Sequence, residues 1–60
     1  DLYDTAVSVV RESQSASISL IQRHLSIGYN RAARLLEAME AHQLVSPMAA
    51  DGSRRILQAA

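Results

Sequence analysis

Cysteine is absent from the 60 residues, which excludes a disulfide framework and a zinc finger as the means of holding the chain together. Lysine is absent too, so all six basic residues are arginine. Aromatic residues amount to two tyrosines, and no charge of one sign prevails, since six acids balance the six arginines. No apolar run approaches the roughly 20 residues a membrane span needs, and nothing resembles a signal peptide. The first residues, Asp1-Leu2-Tyr3, include no initiator Met, which predicts a fragment of a larger chain. What is present is globular in composition: 48% hydrophobic and 20% charged. A chain this short makes a single domain, residues 1–60, and buries only about 60% of its unfolded surface, so stability is modest. An independent enzyme of this size would be unusual, and a binding module is the default expectation.

The zero net charge hides blocks. Asp1, Asp4 and Glu12 outweigh Arg11 at the start, whereas Arg23, Arg31 and Arg34 stand in residues 13–36 without an acid. Glu37, Glu40 and Asp51 follow, and Arg54 and Arg55 close the pattern. Arginine suits bidentate recognition of guanine or phosphate; a codon bias toward arginine would give the same count.

Apolar spacing predicts three helices. Leu2, Tyr3, Ala6, Val7, Val9 and Val10 gather on one side of a helix from Leu2 to Glu12, with Asp1 as N-cap and Ser13-Gln14-Ser15 as its end. Ser17 caps a short second helix to Leu25, with Ile18, Ile21 and Leu25 at i, i+3 and i+7; the burial of Leu20 stays open. Ala16-Ser17 is compatible with a very short strand. Ser26-Ile27-Gly28 makes a turn, with Gly28 free to take angles other residues avoid. A third helix runs from Tyr29 to Gln43, its inner face formed by Ala32, Leu35, Leu36 and Met39. Asn30, Arg34, Glu37 and Ala41 fall within about 60° of one another on its outer face, Arg31 on a flank, and Ala33 and Ala38 keep the flanks thin. Periodicity then changes. Leu44–Met48 and Arg54–Leu57 read as two short strands joined across a loop containing Asp51-Gly52, a strong hairpin signal. Alternation pairs Arg54 with Ile56 and Arg55 with Leu57 without deciding which pair faces inward. The order helix, short helix, turn, longer helix, hairpin predicts a winged helix-turn-helix, mainly α with a small β-hairpin (α+β), the wing having two or three strands.

In such a fold the third helix enters the major groove. Arg34 can make two hydrogen bonds to guanine, Asn30 can pair with adenine or bond a base or phosphate singly, and Glu37 can accept from cytosine N4. The competing reading makes Arg34 and Glu37 a solvated i, i+3 pair. Arg23 and Arg31 suit phosphates, with Ser17, Ser19 and Gln22 as neutral contacts, and Ser53 and Arg54 at the hairpin reach the adjacent backbone or minor groove. Each of these arginines also reads as an ordinary surface residue. Catalysis has little support: His24 and His42 have no paired acid at ligand spacing, no serine sits in a nucleophile motif, and Gly28 and Gly52 make no phosphate loop. Neither a catalytic nor a metal site is expected, and Met39 and Met48 read as core.

The run Ile27-Gly28-Tyr29-Asn30-Arg31-Ala32-Ala33-Arg34, followed by Leu35-Leu36-Glu37-Ala38-Met39-Glu40, is more specific. With Ser17-Ile18-Ser19 and Gln22-Arg23 before it and Gly52-Ser53-Arg54 after it, it closely resembles the C-terminal gamma domain of the FtsK/SpoIIIE family of bacterial DNA translocases. The resemblance covers essentially the whole chain. It implies a winged-helix module that reads short, polar, G-rich sequences in double-stranded DNA and orients a hexameric motor during chromosome segregation and cell division. It implies contact with a Xer recombinase and with the motor domain of the parent chain, and no small-molecule ligand. ATP and Mg are expected only in that motor, so no cofactor and no enzymatic activity are expected here. The domain is expected to be monomeric when free and to lie at the cytoplasmic face, its parent anchored in the bacterial inner membrane. The family's DNA-reading positions match Asn30, Arg34 and Glu37. Where relatives often carry Lys in the second helix, His24 and Ser26 stand here, lowering its charge. Two other functions compete: a protein-docking module whose arginine face meets an acidic partner, and the DNA-binding domain of a transcription regulator, for which no extra dimerisation helix is present.

Overall fold

The computed structural model describes residues 1–57, which form three helices: α1 (Leu2–Ser13), α2 (Ile18–Leu25) and α3 (Tyr29–Ala41). The boundaries of α1 and α2 have local causes. Asp1 Oδ1 accepts from the Tyr3 N–H at 2.6 Å and opens α1. Gln14 turns into the left-handed region at φ 57° and closes it, its amide donating to the Arg11 carbonyl. Ser17 Oγ accepts from the Leu20 N–H at 3.3 Å to start α2. At its end Ser26, not Gly28, takes the left-handed conformation, at φ 56°. Gly28 instead serves as the extended N-cap of α3 at φ −77°, where a Cβ would meet nothing within 4 Å. The turn therefore does not use the conformational freedom of Gly28.

The apolar stripes converge on one core of Ala6 and Val10 from α1, Ile21 from α2, Ala32, Leu36 and Met39 from α3, and Val45 beyond it. Leu35 is half-buried against this core, and Leu20 is half-buried without joining it. Met48, expected inside, is 48% exposed. The Tyr3 hydroxyl lies 2.7 Å from His42 Nδ1, with the rings edge to face at 5.5 Å, and ties the start of α1 to the end of α3.

The expected β-hairpin wing is not there. Among the described residues the protein is mainly α and has no strand; the segment after α3 is an irregular loop crossed by one isolated antiparallel bridge, Val45 to Ile56. Two backbone bonds flank that bridge, Ser46 N–H to the Arg55 carbonyl and Leu57 N–H to the Leu44 carbonyl, each 2.8 Å. The next rung is taken by side chains. The Arg55 N–H donates to Ser46 Oγ at 2.8 Å, and the Ser46 carbonyl accepts from Arg54 Nη1 at 3.0 Å. Beyond Ser46, Pro47 has no N–H to offer a ladder. The Ala49 N–H donates instead to the Ser53 carbonyl, closing a tight loop in which Gly52 holds φ 87°. Asp51-Gly52 thus makes a turn, but without a ladder to join. Nor is there a strand at Ala16-Ser17, which lead directly into α2.

Candidate nucleic-acid interface

Helix α3 presents Asn30, Arg34 and Glu37 to solvent on one face, with Arg31 exposed on its flank. The geometry follows from the inner stripe: once Ala32, Leu36 and Met39 are drawn into the core, the residues opposite them must face out. Half-buried Ala33 and Ala38 border this face and add little bulk, leaving the longer side chains standing clear. Among the described residues none of the three side chains makes an internal hydrogen bond or ion pair, so Arg34 and Glu37 are not spent on each other. Five guanidinium donors, one amide and one carboxylate are thereby open to an external partner.

Helix α2 contributes exposed Arg23 and half-buried Gln22. Ser17 is half-buried, its oxygen occupied as the cap of α2. Across from the α1–α2 connection lies the 51–54 loop. Between them runs a groove of about 490 Å³, with Ser15, Ser17 and Ser19 on one wall and Gly52, Ser53 and Arg54 on the other. Ser17, Ser53 and Arg54 are thus brought together, while Asn30, Arg34 and Glu37 form a separate set on α3. The Ser53 hydroxyl and N–H both donate to Asp51 Oδ1, at 2.7 and 3.0 Å. These two bonds hold the Asp51 carboxyl below its usual range, the hydroxyl contributing most.

Arg54 stands differently from an exposed backbone contact. Its side chain is 5% exposed, with Nη1 2.8 Å from Glu40 Oε1. Arg54 and Ile56 are the pair that turns inward, and Arg55 and Leu57 are exposed. Among the described residues, the exposed cation of this loop is therefore Arg55. Glu40 gave no signal in the sequence, because it meets Arg54 at a separation of 14 positions, across mostly irregular chain. Among the described residues no three acidic, histidine or cysteine side chains gather as a metal site would require.

A short helix joined through Ser26-Ile27-Gly28 to a longer one with an open Asn/Arg/Glu face defines a helix-turn-helix module of three helices. The family model described as the Ftsk gamma domain matches residues 1–59, and the chain belongs to that family. It is 66% identical over 56 residues to a protein of Ralstonia nicotianae named DNA translocase FtsK 2. It is 59% identical over 56 residues to DNA translocase FtsK of Pseudomonas aeruginosa, and 56% identical over 57 residues to DNA translocase FtsK 1 of Neisseria meningitidis serogroup A. These matches cover 93–95% of this chain and 7% of the length of each relative.

Proposed function

We propose that this domain is a sequence-specific binder of double-stranded DNA that reads short, polar, G-rich chromosomal sequences and so orients a DNA translocase during chromosome segregation and cell division. The observation that carries the reading is the joint exposure of Asn30, Arg34 and Glu37 on one face of α3, with no internal partner among the described residues. A helix fits the major groove, and these three side chain types match the edges of adenine, guanine and cytosine. Arg31 and Arg23 take the phosphates, with Ser17, Gln22 and Ser53 as neutral contacts. The names of the relatives support a DNA partner. Hydrolysis of ATP with Mg belongs in this reading to the motor domain of the parent chain, and the domain itself does no catalysis. A Xer recombinase is its second macromolecular partner. The free domain is a monomer, and it works at the cytoplasmic face of an inner membrane that anchors the parent.

Glu37 separates base reading from simple charge. A carboxylate on a DNA-facing helix is unfavourable against phosphate unless it accepts from a base. Glu37→Gln is expected to tighten binding to scrambled duplexes while losing discrimination at one base pair of the preferred site. Titration against the preferred site, its single-base variants and a scrambled control checks this. An equal gain on every duplex would remove Glu37 from the reading set.

A further inference from the structure

Arg54 is the one arginine of the loop drawn away from solvent, and its bonds run between two elements. Nη1 reaches Glu40 Oε1 on α3 at 2.8 Å and the Ser46 carbonyl at 3.0 Å, while the buried Nε has no partner among the described residues. Glu40 is 39% exposed and lies three residues beyond Glu37, about 60° round the helix from it. Four bonds brace the loop internally: Ala49 N–H to the Ser53 carbonyl, Gly52 N–H to the Ala49 carbonyl, and the two from Ser53 to Asp51. A braced loop moves as a unit, so the attachment that fixes it to α3 fixes where all of it sits. Its far side forms one wall of the groove at the start of α2.

We infer that Arg54 is a positioning residue, not a DNA contact: the Glu40–Arg54 pair latches the loop to α3 and so sets where Ser53 and the exposed Arg55 stand relative to that helix. This rests on the DNA-binding reading above. A guanidinium already neutralised by a carboxylate and almost wholly enclosed has little to offer a phosphate. The pair also explains an acid so close to a DNA-binding surface, since Glu40 spends its charge internally.

The two roles predict opposite signs for one change. If Glu40 were merely an acid near DNA, removing it would tighten binding to every duplex. If it holds the latch, Glu40→Ala weakens binding about five- to tenfold, in the range expected for coupling between touching side chains. Glu40→Gln, which keeps the shape and one acceptor oxygen, weakens it less and guards against a variant that does not fold. Amide hydrogen exchange is read alongside, without DNA, at Ala49 and Gly52; the latch predicts faster exchange in Glu40→Ala with the exchange of α1 unchanged. Tighter duplex binding by either variant, or unchanged exchange in the loop, overturns the inference. Failure of the wild-type domain to bind any duplex would overturn the DNA reading instead, and the latch would then be judged by the exchange alone.

Discussion

Leu36→Ala is expected to abolish the cooperative melt of this domain or lower its midpoint by well over 10 °C. Leu36 is fully buried, among the largest side chains enclosed by the core, and sits on the helix that packs against both others. Truncating such a leucine costs about 2–5 kcal/mol, part from lost burial and part from the cavity left behind. A domain of this size holds only about 3–9 kcal/mol in total, and each kilocalorie is worth about 4–8 °C at the midpoint. No disulfide can compensate, because the sequence has no cysteine. Circular dichroism melts of Leu36→Ala beside Asn30→Ala, an exposed change on the same helix, provide the comparison. A melt of Leu36→Ala matching that of Asn30→Ala would reverse the assignment of the two faces of α3.

Arg34→Ala is expected to leave the melt unchanged and to erase the preference for a G-containing site. The side chain is exposed and makes no hydrogen bond or ion pair among the described residues, so its removal opens no cavity. A bidentate arginine–guanine contact is worth about 1–3 kcal/mol of discrimination, which is roughly five- to 150-fold between the preferred and a scrambled duplex. Arg31→Ala, by contrast, should weaken both duplexes by a similar factor and flatten the salt dependence by about one unit of slope. Equal losses for Arg34→Ala on the two duplexes would make Arg34 another phosphate contact.

What could be read from the sequence divides along physical lines. The helices were legible because their signals are local: apolar residues recur at the helical period, Asp1 and Ser17 stand where N-caps belong, and the structure starts α1 and α2 there. The outer face of α3 followed from the same wheel, which is why Asn30, Arg34 and Glu37 stood out together. The segment after α3 was not legible in this way. Alternating residues and Asp51-Gly52 suggest a hairpin, yet whether a ladder forms depends on what competes for its carbonyls and N–H groups. Here Ser46 Oγ and the Arg54 guanidinium take them, and Pro47 withholds one. Arg54 also meets Glu40 of α3, and no period in the sequence encodes a contact of this kind. Gly28 misled for a simpler reason: the left-handed residue of the turn is Ser26, where the α2 cap requires it.

Sequence-specific recognition of double-stranded DNA is the central claim, and a selection from random duplexes tests it without assuming the site. The 60-residue domain is incubated with a pool of randomised duplexes at moderate salt, and the retained molecules are sequenced over successive rounds. The account predicts enrichment of a short, non-palindromic, G-rich site by wild type, loss of that enrichment in Arg34→Ala, and affinity for the winning duplex that falls steeply with added salt. A pool that stays random while the domain is folded would contradict it, whether the domain binds all duplexes alike or none.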